Sequence, residues 1–308
     1  MLEVNLSGLK LKSPIILASG ILGVSFSSMK RVIDAGAGAV TTKSIGPKPR
    51  KGYKNPSIIE IYPGSFMNSV GLGNPGINEF VSEIKEIKKH NIPLIVSVFG
   101  STNGEYLDVA IKAENAGADA IEINISCPHA EVSSIGIDKD LTFKLVKFLK
   151  NTLEVPLFVK LNPNVTDIVE IALAAEEGGA DAVVAINTLS AMKIDINTKR
   201  PILSHGSGGL SGRAIQPIAI KKVYDLHKVL KIPIIGCGGI ASWQDVIEFF
   251  LVGASAVQIG TALFKTTEIL SEINHGIIGY LKDNNYNSID DLKGLSHQFK
   301  IQEVPDFD

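Results

Sequence analysis

Cysteine is scarce in this chain: among 308 residues only Cys127 and Cys237 occur, beside a single tryptophan. Two cysteines cannot form a framework of several disulfides, which argues against the small, disulfide-rich class of secreted domain. Stability must instead come from the burial of apolar surface. A chain of this length that is 45% hydrophobic can bury a sizeable core.

Charge of one sign and long apolar runs are also lacking. The 30 Lys and Arg residues nearly balance the 32 Asp and Glu residues, and the net charge is -2. Without a basic block, nucleic acid is not an expected partner. No apolar run reaches the roughly 18 residues of a membrane helix, and Met1 to Asn5 carry no basic leader. We therefore expect a soluble, cytoplasmic protein.

From Pro14 onward the chain repeats an order of apolar strand, loop and helix. We predict eight strands, in the stretches Pro14 to Gly20, Gly38 to Ser44, Pro93 to Phe99, Asp119 to Ile125, Pro156 to Leu161, Asp181 to Asn187, Pro233 to Cys237 and Ser255 to Ile259. Continuous apolar strands are typical of a parallel sheet covered by helices. Eight such units predict an α/β fold of the (β/α)8 TIM-barrel type, and we expect one domain over residues 1–308.

Two long segments interrupt this repeat. The first follows the second strand, is rich in Pro, Gly and Asn, and extends to Gly76. The second follows the sixth strand and runs from Thr188 to about Gly212. Barrel enzymes keep their sites at the carboxyl ends of the strands, in the loops that follow them. We therefore expect both long loops to border the functional site.

Glycine separates strand from helix after the last two strands. Gly238 and Gly239 follow the seventh strand, and Gly260 and Thr261 follow the eighth. Glycine lets backbone N–H groups approach an anion closely, and these two loops are a frequent phosphate site in barrels. We predict a phosphate site here, although either pair alone could be an ordinary tight turn.

Two lysines, Lys43 and Lys160, lie at expected strand ends among apolar or β-branched neighbours. Burial of an unpaired ammonium is costly, so a paired anion or a bound ligand is favoured over the usual surface lysine. At a strand end, a lysine can also stabilise negative charge that develops during a reaction. Both residues are therefore candidates for the functional site.

Cys127 closely follows the fourth strand, in the sequence Asn124-Ile125-Ser126-Cys127-Pro128. Cysteine is most often a small buried residue, which is our interpretation of Cys237. Polar neighbours and a following proline favour a second interpretation for Cys127, because a thiol with a lowered pKa can act as a general base. Spacing alone leaves both open. The six histidines show no metal-ligand spacing; five are expected on the surface or on helix faces, and only His129 adjoins this segment.

Together these motifs resemble, over nearly the whole chain, the cytosolic class 1 dihydroorotate dehydrogenases. The matching stretches are Leu17-Ala18-Ser19-Gly20, Thr42-Lys43-Ser44, Asn68-Ser69-Val70-Gly71-Leu72-Gly73-Asn74-Pro75-Gly76, Asn124-Ile125-Ser126-Cys127-Pro128, Val159-Lys160-Leu161, Ile186-Asn187-Thr188, Gly208-Gly209-Leu210-Ser211-Gly212, Gly238-Gly239-Ile240 and Gly260-Thr261. A cysteine, where membrane-bound relatives have serine, points to class 1. The opening Met1-Leu2-Glu3-Val4 and the segment Gly209 to Gly212 resemble the NAD-linked subtype.

The resemblance implies an FMN enzyme that oxidises dihydroorotate to orotate in pyrimidine biosynthesis. It implies FMN contacts from Ser19, Lys43, Ser44, Asn124, Lys160, Ile186 and Gly212, with the phosphate on Gly238, Gly239, Gly260 and Thr261. It implies substrate contacts from Lys43, Asn68, Ser69, Val70, Gly71, Leu72, Asn124, Asn187 and Thr188. Cys127 would take the C5 proton while hydride leaves C6 for the flavin, and Lys160 would stabilise the reduced ring.

The resemblance also implies partners. NAD-linked relatives pair the flavin barrel with an iron–sulfur/FAD electron-transfer subunit, and a homodimer of barrels forms the core. Two cysteines are too few to ligate an iron–sulfur cluster, which takes four thiolates. If NAD is the acceptor, a second chain must therefore carry the electrons.

Two departures from the family pattern keep alternatives open. His129 follows Cys-Pro where many relatives have Asn, and dihydropyrimidine dehydrogenases resemble this chain in carrying Cys-Pro-His. Ser97 stands where the NAD-linked subtype often has a flavin-contacting Asn. One alternative is thus a dihydropyrimidine dehydrogenase-like barrel acting on uracil or thymine. Another is a non-redox phosphate-binding barrel, and a third is a catalytically silent subunit.

Overall fold

The computed structural model describes residues 1–125 and 135–299. Eight parallel strands close into a barrel. In spatial order around the barrel they are β3 (Ile15–Leu17), β4 (Ala39–Thr41), β7 (Leu94–Val98), β8 (Ala120–Asn124), β9 (Leu157–Lys160), β10 (Ala182–Ala185), β15 (Ile234–Cys237) and β16 (Ala256–Ile259). The predicted (β/α)8 barrel is confirmed, because every expected strand stretch contains one barrel strand.

In the described part of the chain, eight α-helices follow the barrel strands and pack their apolar faces against them. They are α1 (Phe26–Asp34), α2 (Ile77–Lys89), α3 (Asn103–Ala116), α4 (Lys139–Lys150), α5 (Ile168–Glu177), α6 (Gln216–His227), α7 (Trp243–Leu251) and α8 (Ile269–Asp283). Capping side chains set several of the starts: the Thr102 hydroxyl accepts from Glu105 N–H and begins α3. Gly117 ends α3 with a φ of 110°, a left-handed conformation that glycine readily adopts at a helix C-cap.

The two long segments meet in a second sheet. Its strands are β5 (Ile58–Tyr62), β6 (Ser65–Asn68), β11 (Leu189–Met192) and β14 (Ser207–Gly212), in the antiparallel order β11-β14-β6-β5. The sequence pattern predicts loops in these segments, and that prediction is wrong for the four strands of this sheet. The reason is physical: β14 is glycine-rich, and its partner β6 lies in the other segment, so no local pattern reveals the pairing.

Short elements complete the described chain. An amino-terminal hairpin pairs β1 (Val4–Leu6) with β2 (Leu9–Leu11), and another pairs β12 (Ile194–Asp195) with β13 (Arg200–Pro201). The sequence pattern predicts a terminal helix that starts near Leu263. Instead, a 3₁₀ turn spans Thr261–Phe264, and α8 begins at Ile269. The Thr266 hydroxyl accepts from Glu268 N–H, a local bond that favours a turn over a continuous helix.

Candidate active site

A cavity of about 590 Å³ lies between the carboxyl ends of the barrel strands and the second sheet. That volume is in the range of small-molecule and cofactor sites. Every predicted site residue in the described part of the chain lines it: Ser19, Lys43, Ser44, Asn68, Ser69, Val70, Gly71, Leu72, Asn124, Lys160, Ile186, Asn187, Thr188, Gly212, Gly238, Gly239, Gly260 and Thr261. Cys127 and His129 lie outside the described residues. The fold thus brings together strand ends and loops that are far apart in sequence.

Lys160 is buried at the end of β9, with only 4% of its surface exposed. Its Nζ donates to Gln258 Oε1 at 2.6 Å, and Gln258 Nε2 donates to Glu122 Oε2 at 2.6 Å. Gln258 lies on β16 and Glu122 on β8, on opposite sides of the barrel. Hydrogen-bonded polar side chains therefore cross the barrel interior from Glu122 through Gln258 to Lys160, and the last two of these also line the cavity.

A second polar group joins neighbouring strand ends. Asn124 Nδ2 donates to Ser44 Oγ at 3.1 Å, and Ser44 Oγ lies 3.0 Å from Ser97 Oγ. Ser97 is fully buried and is not part of the cavity wall. The Tyr106 hydroxyl also donates to the backbone carbonyl of Asn124 at 2.9 Å. Ser97 therefore supports Ser44, instead of reaching the cavity as a longer Asn could.

Lys43 follows β4 and lines the same cavity. Burial lowers the pKa of its ammonium from the ordinary lysine value, because a charged group loses solvation inside the protein. A bound carboxylate would restore the lost stabilisation. Lys43 is thus suited to holding an anionic ligand.

The glycine turns after β15 and β16 form another wall of the cavity. Gly238 and Gly239 have φ angles of 137° and 79°, in the region that favours glycine. A Cβ on Gly239 would lie 2.5 Å from Gln216 Cβ, so the packing also requires glycine there. The turn leaves backbone exposed where a side chain would otherwise stand, as a phosphate site needs.

The long segments supply the remaining walls, including residues that the sequence reasoning missed. Tyr53 stacks on His205 with ring centroids 3.8 Å apart, and both line the cavity. His205 was assigned to the surface; it is exposed but borders the site. Cys237, interpreted as a packing residue, is half-buried and also lines the cavity. Gln258 and Glu122 could have been noticed in the sequence, because each is a polar residue inside an otherwise apolar barrel strand.

Among residues 1–125 and 135–299, no group of three or more His, Cys, Asp or Glu side chains could hold a metal ion. None of the helices there is long and apolar enough to cross a membrane.

The geometry defines a barrel enzyme whose site fits a phosphate-bearing flavin. Glycine turns leave backbone exposed on the wall of a cavity of cofactor size, and the buried Lys160 together with amide and hydroxyl side chains also lines it. The hydroxyl of Ser69 is buried without a hydrogen-bond partner in the described part of the chain, as in a site that awaits a ligand.

Comparison with known proteins identifies the family. The family model for dihydroorotate dehydrogenase matches residues 1–281. The chain is 50% identical over 296 residues to the catalytic subunit of dihydroorotate dehydrogenase B (NAD(+)) of Methanocella arvoryzae, covering 96% of this chain and 97% of that protein. It is also 50% identical over 299 residues to the same subunit of Pyrococcus horikoshii, covering 96% and 98%. The chain belongs to the dihydroorotate dehydrogenase family.

A solved structure agrees in fold. The crystal structure of DHODH from Eimeria tenella in complex with ferulenol superposes with a TM-score of 0.85, covering 96% of this chain and 89% of that one, at 23% identity. Members of the family are FMN flavoproteins that oxidise dihydroorotate to orotate in pyrimidine biosynthesis. The predicted family and its FMN chemistry are thus confirmed, and neither the dihydropyrimidine dehydrogenase-like nor the non-redox alternative is favoured.

Proposed function

We propose that this chain is a catalytic subunit that holds FMN and dihydroorotate in the described cavity as one barrel domain. The observation that carries the proposal is the convergence of Lys43, Lys160 and the two glycine turns on one cavity. When bound, FMN supplies the hydride acceptor. The chain supplies the phosphate turns, a buried cation at the end of β9, and amides that can orient a planar substrate.

We assign substrate orientation to the wall that carries Asn68, Ser69 and Asn187. Asn68 Nδ2 donates to the Gly209 carbonyl at 3.3 Å, which ties this wall to β14. Asn187 Nδ2 lies 3.5 Å from Asn124 Oδ1. Directional amides of this kind suit the carbonyl and N–H groups of a dihydropyrimidine ring, while Lys43 suits its carboxylate.

Ser69→Ala tests this wall. The buried Ser69 hydroxyl has no partner among the described residues, so its removal should cost a ligand bond without breaking a protein bond. A lost hydrogen bond of about 1.4 kcal/mol corresponds to roughly a tenfold rise in KM for dihydroorotate, with FMN content unchanged. Ser82→Ala, on the exposed face of α2, is the control. An unchanged KM in Ser69→Ala would remove this hydroxyl from the substrate site.

The lowered pKa of Lys43 predicts a pH dependence of orotate binding. An anionic ligand needs the charged ammonium, so affinity should be highest below the lowered pKa and fall as pH rises through it. The fall should begin below the ordinary lysine pKa of about 10.4. Flavin spectral titrations with orotate at stepped pH measure it. Lys43→Met should bind at least about tenfold more weakly at neutral pH and lack this fall; a wild-type profile in that variant contradicts the assignment.

The lowered pKa of Lys43 has the opposite effect on folding stability: rising pH weakens ligand binding but stabilises the folded chain. Because the folded-state pKa of Lys43 lies below the unfolded-state value, the buried ammonium costs stability below both values. That cost disappears as pH rises through the interval between them. Alkaline pH should thus weaken ligand binding and relieve this folding cost.

We further propose that electrons leave this chain through a separate iron–sulfur/FAD subunit, and that two barrels form a homodimer core. The relatives are catalytic subunits of an NAD(+) enzyme, which supports a partner, and two cysteines are too few for a cluster. The purified chain should accept electrons from dihydroorotate yet reduce NAD only after the partner subunit is added. Light scattering tests the homodimer, and cell fractionation tests the expected cytoplasmic location.

A further inference from the structure

Glu122 is a buried acidic residue to which the proposed chemistry assigns no task. Its exposed fraction is 0%, and it lies in the interior of the barrel on β8. Its Oε2 accepts from Gln258 Nε2 at 2.6 Å, while Oε1 has no partner among the described residues. A carboxylate buried with a single hydrogen bond is costly unless a positive charge compensates it.

The orientation of the Gln258 amide indicates where that positive charge is. Its oxygen accepts from the Lys160 ammonium at 2.6 Å, and its N–H donates to the carboxylate. If Oε1 and Nε2 of Gln258 were exchanged, its N–H donor would face the N–H donors of Lys160, and its oxygen would face the carboxylate oxygen of Glu122. Gln258 itself is 1% exposed, and its Nε2 also lies 3.4 Å from Thr41 Oγ1. The amide therefore bridges an ammonium and a carboxylate that do not touch.

We propose that Glu122 is a positioning residue: acting through Gln258, it holds the Lys160 side chain in place, and the negative charge of its carboxylate lowers the midpoint potential of the bound flavin. This inference rests on the proposed function, because Lys160 must face the flavin. Reduction adds negative charge to the flavin, and a fixed negative charge in a poorly solvated interior opposes it. Gln258 sets the distance between the Glu122 carboxylate and Lys160, because its side-chain amide lies between them.

The test is the midpoint potential of bound FMN, measured by reductive titration against reference dyes in the purified chain. In Glu122→Gln the carboxylate charge is gone, although the amide oxygen still accepts from Gln258. Reduction should become about tenfold more favourable, equivalent to about +30 mV for a two-electron couple. Glu83→Gln is the matched control, since Glu83 binds the Phe26 N–H and does not line the cavity.

A charge-transposed double variant, Glu122→Gln with Gln258→Glu, gives a second, independent reading. It keeps the net charge of the barrel interior but sets the carboxylate directly against Lys160. The potential should return to the wild-type value or fall below it. If Glu122→Gln binds too little flavin to be titrated, the double variant alone tests the proposal. A midpoint potential about 30 mV above the wild-type value in the double variant would then overturn it.

Failure of the inference differs from failure of the proposed function. A wild-type chain that binds no FMN, or whose FMN is not reduced by dihydroorotate, contradicts the function. A wild-type chain that does both, with equal potentials in wild type, Glu122→Gln and the double variant, contradicts only the role of Glu122.

Discussion

Lys160→Met is expected to slow the reduction of bound FMN by dihydroorotate by about 10²- to 10³-fold, the usual cost of removing one preorganised electrostatic group from an active site. Lys160 is 4% exposed, and its Nζ donates to Gln258 Oε1 at 2.6 Å. Few solvent molecules screen it, so its charge acts strongly at the cavity. Methionine keeps most of the volume but removes both the charge and the hydrogen bond that Lys160 donates to Gln258.

The same substitution should also destabilise the fold. It leaves Glu122 and Gln258 buried without their cation, which typically costs about 3 kcal/mol or more. Thermal unfolding and flavin content should therefore be measured beside the stopped-flow rate. Lys12→Met, at an exposed site after the amino-terminal hairpin, is the matched control. A folded, flavin-loaded Lys160→Met with a normal reduction rate would return Lys160 to a purely structural role.

Cys127→Ser is expected to have the largest effect. The resemblance to the family implies that Cys127 is the proton-abstracting base. Cys127 lies outside the described residues, so the prediction rests on the motif and the family. A hydroxyl is a far weaker base than a thiolate, and loss of a general base typically costs about 10²- to 10⁴-fold. FMN content should be unchanged, and anaerobic reduction by dihydroorotate should slow accordingly at neutral pH.

The second cysteine provides the comparison for this experiment. Cys237→Ser removes a thiol from the wall of the same cavity, where the residue is half-buried. Its effect on the reduction rate should be far smaller than that of Cys127→Ser. Equal losses in the two variants, or an unchanged rate in Cys127→Ser, would show that the base is another group.

The barrel was predictable because its signal is local. Each inner strand is a short apolar run, and each helix carries its own periodicity and caps, so eight repeats can be counted without tertiary information. The strand-end residues were predictable for the same reason: the carboxyl ends of parallel strands meet on one face, which brings Lys43, Lys160 and Gly238 together.

The second sheet and the polar chain inside the barrel were not predictable in this way. Leu210 pairs with Met67 across two segments that are far apart in sequence. Neither strand sequence shows a clear alternation of apolar and polar residues. Glu122 and Gln258 meet across the full width of the barrel. A polar residue within an apolar strand signals that a partner must exist, but only the closed barrel reveals which residue it is.

The most direct measurement is a visible spectrum of the purified chain, taken before and after anaerobic addition of dihydroorotate. We expect flavin absorbance at the start and its bleaching by dihydroorotate, with little bleaching by dihydrouracil or dihydrothymine. Bleaching by those two compounds alone would instead indicate a dihydropyrimidine dehydrogenase-like enzyme that acts on uracil or thymine. Absence of flavin, even after FMN is added, would contradict the account at its centre.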